Sequence, residues 1–209
     1  MGMFLSLSGV IGKTTEQVSN SLRNFAHSVK GGLDADSINS DQENYTVIRE
    51  ENNNTTILYP NDYLEWDNSS GFISRELQTS VFSCHIHDGD LWMFVLYNNG
   101  KIVAQFNPIP EYWDYTISKE ERDNWKGDAN TISKYVPSIK PEDIEKYFRH
   151  WGSEDEAEEK AYTTDEFTFG TDWQLLDFMK KLGLPYPLTD EGKPNGKVFK
   201  LWTSQLKLK

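Results

Sequence analysis

The chain has 209 residues, with 33 Asp and Glu against 21 Lys and Arg and a net charge of −12. That balance opposes broad binding to phosphate backbones, and no stretch approaches the roughly 20 uncharged apolar residues of a membrane-spanning helix. One Cys excludes an intramolecular disulfide or a Cys-rich zinc module, while 13% aromatic residues can fill a core and argue against global disorder.

Met1 to Gly12 is apolar but lacks the basic region of a signal peptide. Leu5 and Leu7 alternate with Ser6 and Ser8 at strand periodicity. Gly2 and Ser6 fit a short myristoylation pattern, yet the same residues read better as a buried first strand. With no export signal and one thiol, the expected compartment is the cytoplasm. Thr14 and Gln17 form a capping box, and Val18, Leu22, Phe25 and Val29 then share one helix face. Gly31 and Gly32 end that helix, and Asp34 to Asn44 reads as a polar loop. Tyr45 to Glu50 and Thr55 to Tyr59 read as a hairpin across Asn52-Asn53-Asn54. Ser69 or Ser70 is expected to cap a short helix with Phe72, Ile73 and Leu77 inward.

Val81 to His87 alternates with period two, and Asp88-Gly89 is a two-residue turn signal. Leu91 to Tyr97 reads as a central strand buried on both faces, and Lys101 to Phe106 returns after Asn99-Gly100. Beyond Pro108 the pattern turns helical. Ser118 with Glu121 is a capping box, and Asp128 to Tyr135 is a short helix. Pro141 opens a helix burying Ile144, Tyr147, Phe148 and Trp151. The acidic run Glu154 to Glu159 reads as a solvated face. Trp173, Leu176, Phe178, Met179 and Leu182 mark a helix stopped by Gly183 and Pro185. Val198 to Trp202 reads as a last strand at a sheet edge.

The element order is β-α-β-β-α-β-β-β followed by helices, which predicts an α+β fold with an antiparallel-rich sheet and a ferredoxin-like start. Residues 1–209 are expected to form one globular unit. The natural subdivision lies at Pro108, with a sheet part over 1–108 and a mainly helical part over 109–209 sharing one core.

Three features carry candidate chemistry. Gly12, Lys13 and Thr14 follow a strand and open a helix, as a phosphate-binding loop would. However, the Walker pattern needs a Gly where Leu7 stands. His85 and His87 share one strand face, with Asp88 and Asp90 nearby, so the four are a candidate divalent-metal set. Cys84 lies on the opposite face, which separates it from any His base, and no Gly-x-Ser-x-Gly elbow is present. The third feature is aromatic and acidic. Trp66 and Asp67 lie in one such segment, and Tyr112, Trp113 and Asp114 in a second. Exposed aromatics flanked by acids suit an interface in which rings anchor and carboxylates steer a basic partner.

The leading expectation is therefore a non-enzymatic interaction module without a cofactor. It would be an acidic inhibitor or immunity-type protein that binds a basic protein, and neither nucleic acid nor membrane. The alternative is a metal-dependent enzyme or small-ligand binder at His85 and His87.

Overall fold

The computed structural model describes residues 2–35, 45–152 and 159–203. From the N-terminus, β1 (Leu5–Val10), α1 (Thr15–Ser28) and β2 (Gly32–Ala35) lead to the hairpin β3 (Thr46–Glu51) and β4 (Asn54–Leu58). Then come α2 (Trp66–Leu77) and the meander β5 (Ser80–His87), β6 (Leu91–Asn98) and β7 (Lys101–Phe106). The remaining elements are α3 (Lys119–Asn124), α4 (Ala129–Tyr135), α5 (Gln174–Lys181) and β8 (Lys197–Trp202). The fold is α+β. Its eight described strands form one antiparallel sheet in the order β2-β8-β3-β4-β1-β5-β6-β7. Among the described residues no helix is long and apolar enough to cross a membrane.

Turn chemistry sets the hairpins. Asn52 and Asn53 both hold left-handed backbone (φ 51° and 64°), as do Asn99 and Gly100 (φ 51° and 77°). That is what a two-residue turn between twisted strands requires. The loop at Asp88-Gly89 has one more residue than expected. His87 pairs with Leu91, so Asp90 belongs to the loop as well, and the Gly89 N–H ties it to the Met3 carbonyl.

Strand alternation gives the sheet two different faces. On one, Val10, Ile48, Ile57, Val81 and Phe199 pack with Val18, Leu22 and Phe25 of α1 and Ile73 of α2. On the other, Leu7, Phe82, Phe94 and Phe106 pack with Ile132, Ile144, Tyr147 and Phe178 from the C-terminal part. The helix starts read from the sequence follow the same local logic. Thr14 accepts the Gln17 N–H while Gln17 reaches back to Thr14, and Ser118 and Glu121 do the same at α3. Thr14→Ala is expected to cost about 1 kcal/mol of stability, read by urea unfolding.

Several expectations are corrected. Asp34 and Ala35 belong to β2, not to a loop; residues 36–44 lie outside the described residues. The insertion of β2 also interrupts the βαββαβ order in the chain, although β3, β4, β1 and β5 lie side by side. At the end of α1 the left-handed residue is Lys30 (φ 59°). Gly31 and Gly32 serve close approach instead, since a Cβ on either would collide with the Trp202 carbonyl or ring. The helix α2 begins at Trp66, so Ser69 and Ser70 lie inside it. Their buried hydroxyls bond Tyr59 and Ser8 across the sheet. The segment after Pro141 makes two 3-10 turns, Pro141–Asp143 and Glu145–Tyr147, that bury Ile144 and Tyr147. β8 lies between β2 and β3, leaving β2 at the edge. In β6 the face carrying Met93, Val95 and Tyr97 is only half-buried. Of the acidic run, residues 154–158 lie outside the described residues, and Glu159 is exposed.

Candidate functional site

His85 and His87 point to the sheet face that carries α1 and α2. His85 is buried, with Nδ1 2.9 Å from the Ser6 hydroxyl. The Trp66 indole from the first turn of α2 stacks on its ring at 4.8 Å and 7°. Burial, and then the neighbouring His87 charge, push the His85 pKa down to about 4 against a weaker opposing bond from the Leu5 backbone. The ring is therefore neutral at pH 7. His87 is half-buried and meets three rings edge-on: Phe4 at 5.1 Å, Trp113 at 5.0 Å and Tyr112 at 5.6 Å. Phe4, Trp66, His85, His87, Tyr112 and Trp113 thus form one continuous cluster, drawn from four separate stretches of chain.

The cluster opens to solvent. Phe4 (41%), Leu64 (79%), Trp113 (53%) and Tyr115 (85%) are four of the five exposed large hydrophobic side chains among the described residues. All four belong to the segments that build the cluster. Those segments, 2–12, 59–74, 80–100 and 102–118, contain no Lys or Arg. They do carry Asp62, Glu65, Asp67, Asp88, Asp90, Glu111 and Asp114. Beside Phe4 lies an open cavity of about 580 Å³, walled by Phe167, Trp173, Tyr186 and Leu188 with Asp190 among its lining residues.

The carboxylates differ in their work. Asp90 accepts the Tyr112 hydroxyl proton, and that bond, more than burial, raises the Tyr112 pKa to about 12. Asp114 is exposed and accepts the Thr116 N–H and hydroxyl, which hold its carboxyl below the usual range. Asp67 turns away from Trp66 and accepts from Tyr97 at 2.9 Å. Neighbouring positions on a helix face different ways, so Asp67 serves α2 packing and leaves the rim to its neighbours. Phe4 was missed in the sequence, whereas Leu64 and Tyr115 fall within the two aromatic and acidic segments read there without being singled out. The signal that points to them is the lack of Lys and Arg along their segments.

The other two candidates assemble differently. Among the described residues no three His, Cys, Asp or Glu side chains are grouped to hold a metal ion. His85 is committed to Ser6 and Trp66, and Asp90 to Tyr112. Cys84 is buried on the opposite face, where burial pushes its thiol up to about 12. At the N-terminus of α1, three N–H donors already have side-chain acceptors. Gly12 donates to Asn54 Oδ1 (3.0 Å), Thr14 to Gln17 Oε1 (3.1 Å) and Thr15 to Glu50 Oε2 (2.6 Å). Glu50 supplies the anion that a helix N-terminus favours, so Gly12, Lys13 and Thr14 form a capped turn.

No family model, curated protein or solved structure matches the chain.

Proposed function

We propose that the chain acts by protein–protein contact and that the aromatic cluster at this end of the sheet meets a basic partner. The observation that carries this reading is a continuous ring cluster whose Phe4 and Trp113 are exposed, with exposed Leu64 and Tyr115 on the same stretches of chain, set among carboxylates on segments without Lys or Arg. Rings of this kind bury large areas with few rotatable bonds, which is why aromatic side chains dominate binding hot spots. Carboxylates at the rim raise the rate of encounter with a positive surface. A concrete form is an inhibitor that covers the basic active site or nucleic-acid groove of its target. The reading places the chain in the cytoplasm, where a single unpaired thiol is ordinary.

The test begins with capture of a partner and then measures variants against it. Trp113→Ala is expected to weaken binding about 10–30-fold, mainly through faster dissociation. Asp88→Asn with Asp114→Asn is expected to slow association several-fold at low salt and flatten its salt dependence. Asn suits both positions, since it tolerates the left-handed backbone at Asp88 and can still cap the turn at Asp114. A partner whose affinity ignores Trp113→Ala does not bind here, and the assignment fails.

A further inference from the structure

Behind Glu111, away from the aromatic face, lies a cavity of opposite character. It measures about 330 Å³, at the small end of ligand-binding cavities. Its apolar surfaces are Phe106, Pro110, Trp125 and Phe148. Its cationic lining is Arg122, Lys126 and Arg149, with His150 beside them, and among the described residues no carboxylate lines it. In a chain of net charge −12 such a lining stands out, with Glu111, Asp123 and Glu159 behind the cations.

The frame is rigid. The Asn107 N–H bonds the Trp125 carbonyl at 2.9 Å, and Gly127 bonds the Gln105 carbonyl at 2.9 Å. The segment Trp125 to Gly127 therefore runs pinned along the end of β7. Gly127 is left-handed (φ 70°), and a Cβ there would stand 2.7 Å from the Phe148 ring. That close approach sets Trp125 and Phe148 beside one another as the cavity's apolar walls.

The cations are positioned but not saturated. Glu111 accepts from His150 Nε2 at 2.8 Å, and Asp123 pairs with Lys126. The two guanidinium groups are held more loosely. Arg122 Nε is 3.9 Å from Glu111, and Arg149 Nη1 is 3.7 Å from Glu159. Both distances exceed hydrogen-bonding range. Arg122 Nε and Glu111 Oε2 face each other across that gap, both buried without a hydrogen bond, while the Arg122 side chain as a whole is 43% exposed. Arg149 lies 4.6 Å above the Phe169 ring, which fixes its plane, and its side chain is 42% exposed. The exposed guanidinium N–H groups of both arginines are donors that a carboxylate takes in bidentate form.

We propose that this cavity binds a small organic carboxylate with a flat apolar body. The ring system lies against Phe106, Trp125 and Phe148, and the carboxylate takes the solvent-facing guanidinium N–H groups of Arg122 and Arg149 with Lys126 at the rim. This site is independent of the protein-binding face and stands or falls by its own measurement. Calorimetric titration of the full chain at low salt would compare naphthalene-2-carboxylate, the neutral naphthalene-2-methanol and inorganic phosphate. The expected result is one carboxylate per chain, bound at least tenfold tighter than either the alcohol or phosphate. Arg149→Gln with Lys126→Gln is expected to weaken the carboxylate at least fivefold and leave the alcohol unchanged. Should that pair fail to fold, Lys126→Gln alone, at an exposed side chain, is expected to weaken it about twofold. Equal affinity for alcohol and carboxylate overturns the role of the cations. Equal affinity for phosphate overturns the role of the apolar walls. No binding of the carboxylate at millimolar concentration overturns the proposal entirely.

Discussion

Replacing Phe178 with alanine is expected to lower the unfolding free energy by about 3–5 kcal/mol, the range for deleting a buried aromatic ring. Phe178 is fully buried on α5. Its ring lies 5.2 Å from Phe94, 5.3 Å from Trp92 and 5.9 Å from Phe82, all on the sheet. On its other side stand Tyr147 at 5.6 Å and Phe148 at 5.8 Å. The neighbours are themselves large rings held by strands and by each other, so they cannot collapse into the space left behind. The cost therefore includes a cavity as well as lost burial. Denaturant unfolding followed by Trp fluorescence and by far-UV circular dichroism checks this. The midpoint should fall with the slope unchanged, and the two probes should still coincide. A loss below 1 kcal/mol, or a C-terminal part that melts on its own, would contradict a core shared by the sheet and the segments after Pro108.

Elements whose cause is local were legible in the sequence. The turns at Asn52-Asn53 and Asn99-Gly100 need left-handed backbone, and their residues supply it. The capping boxes at Thr14 and Ser118 each need a residue three positions on, and it is there. Elements whose cause is distant were not legible. β2 has four residues, two of them exposed, and exists because Leu33 pairs with Leu201 at the far end of the chain. The start of α2 has no side-chain cap. Ser69 and Ser70 looked like caps because hydroxyls favour that position, but theirs are spent on Tyr59 and Ser8. The same limit shaped the candidate site. Trp66, Tyr112 and Trp113 were found as one feature and His85 with His87 as another, because nothing local reveals that all five share a cluster. Asp67 was chosen by its place beside Trp66 in the chain, yet on a helix adjacent residues diverge.

His85 is expected to make the fold sensitive to mild acid. In the unfolded chain an imidazole takes its proton near pH 6.5, whereas burial in the fold holds His85 near 4. Between these values the unfolded state binds more protons. Stability therefore rises with pH across the window and is lost as pH falls from about 6.5 to about 4. The whole span corresponds to about 3 kcal/mol. The exposed carboxylates whose pKa values are lowered, such as Asp114 and Asp123, lose their contributions at lower pH, so a difference measurement separates them. Unfolding free energies of the wild type and of His85→Gln would be compared from pH 7.5 to 4. The difference should be constant above pH 7 and move by about 3 kcal/mol in favour of the variant by pH 4. A difference that stays flat would mean that His85 is hydrated, not sealed under Trp66. The same proton reaches the proposed contact face, because a charged His85 sits under Trp66 and beside His87. Opening of that stack would disturb Phe4 and Trp113 through His87. Partner affinity at the aromatic face should therefore weaken over the same pH window, and His85→Gln should remove that dependence. Affinity that weakens equally in the variant would trace the effect to the rim carboxylates instead.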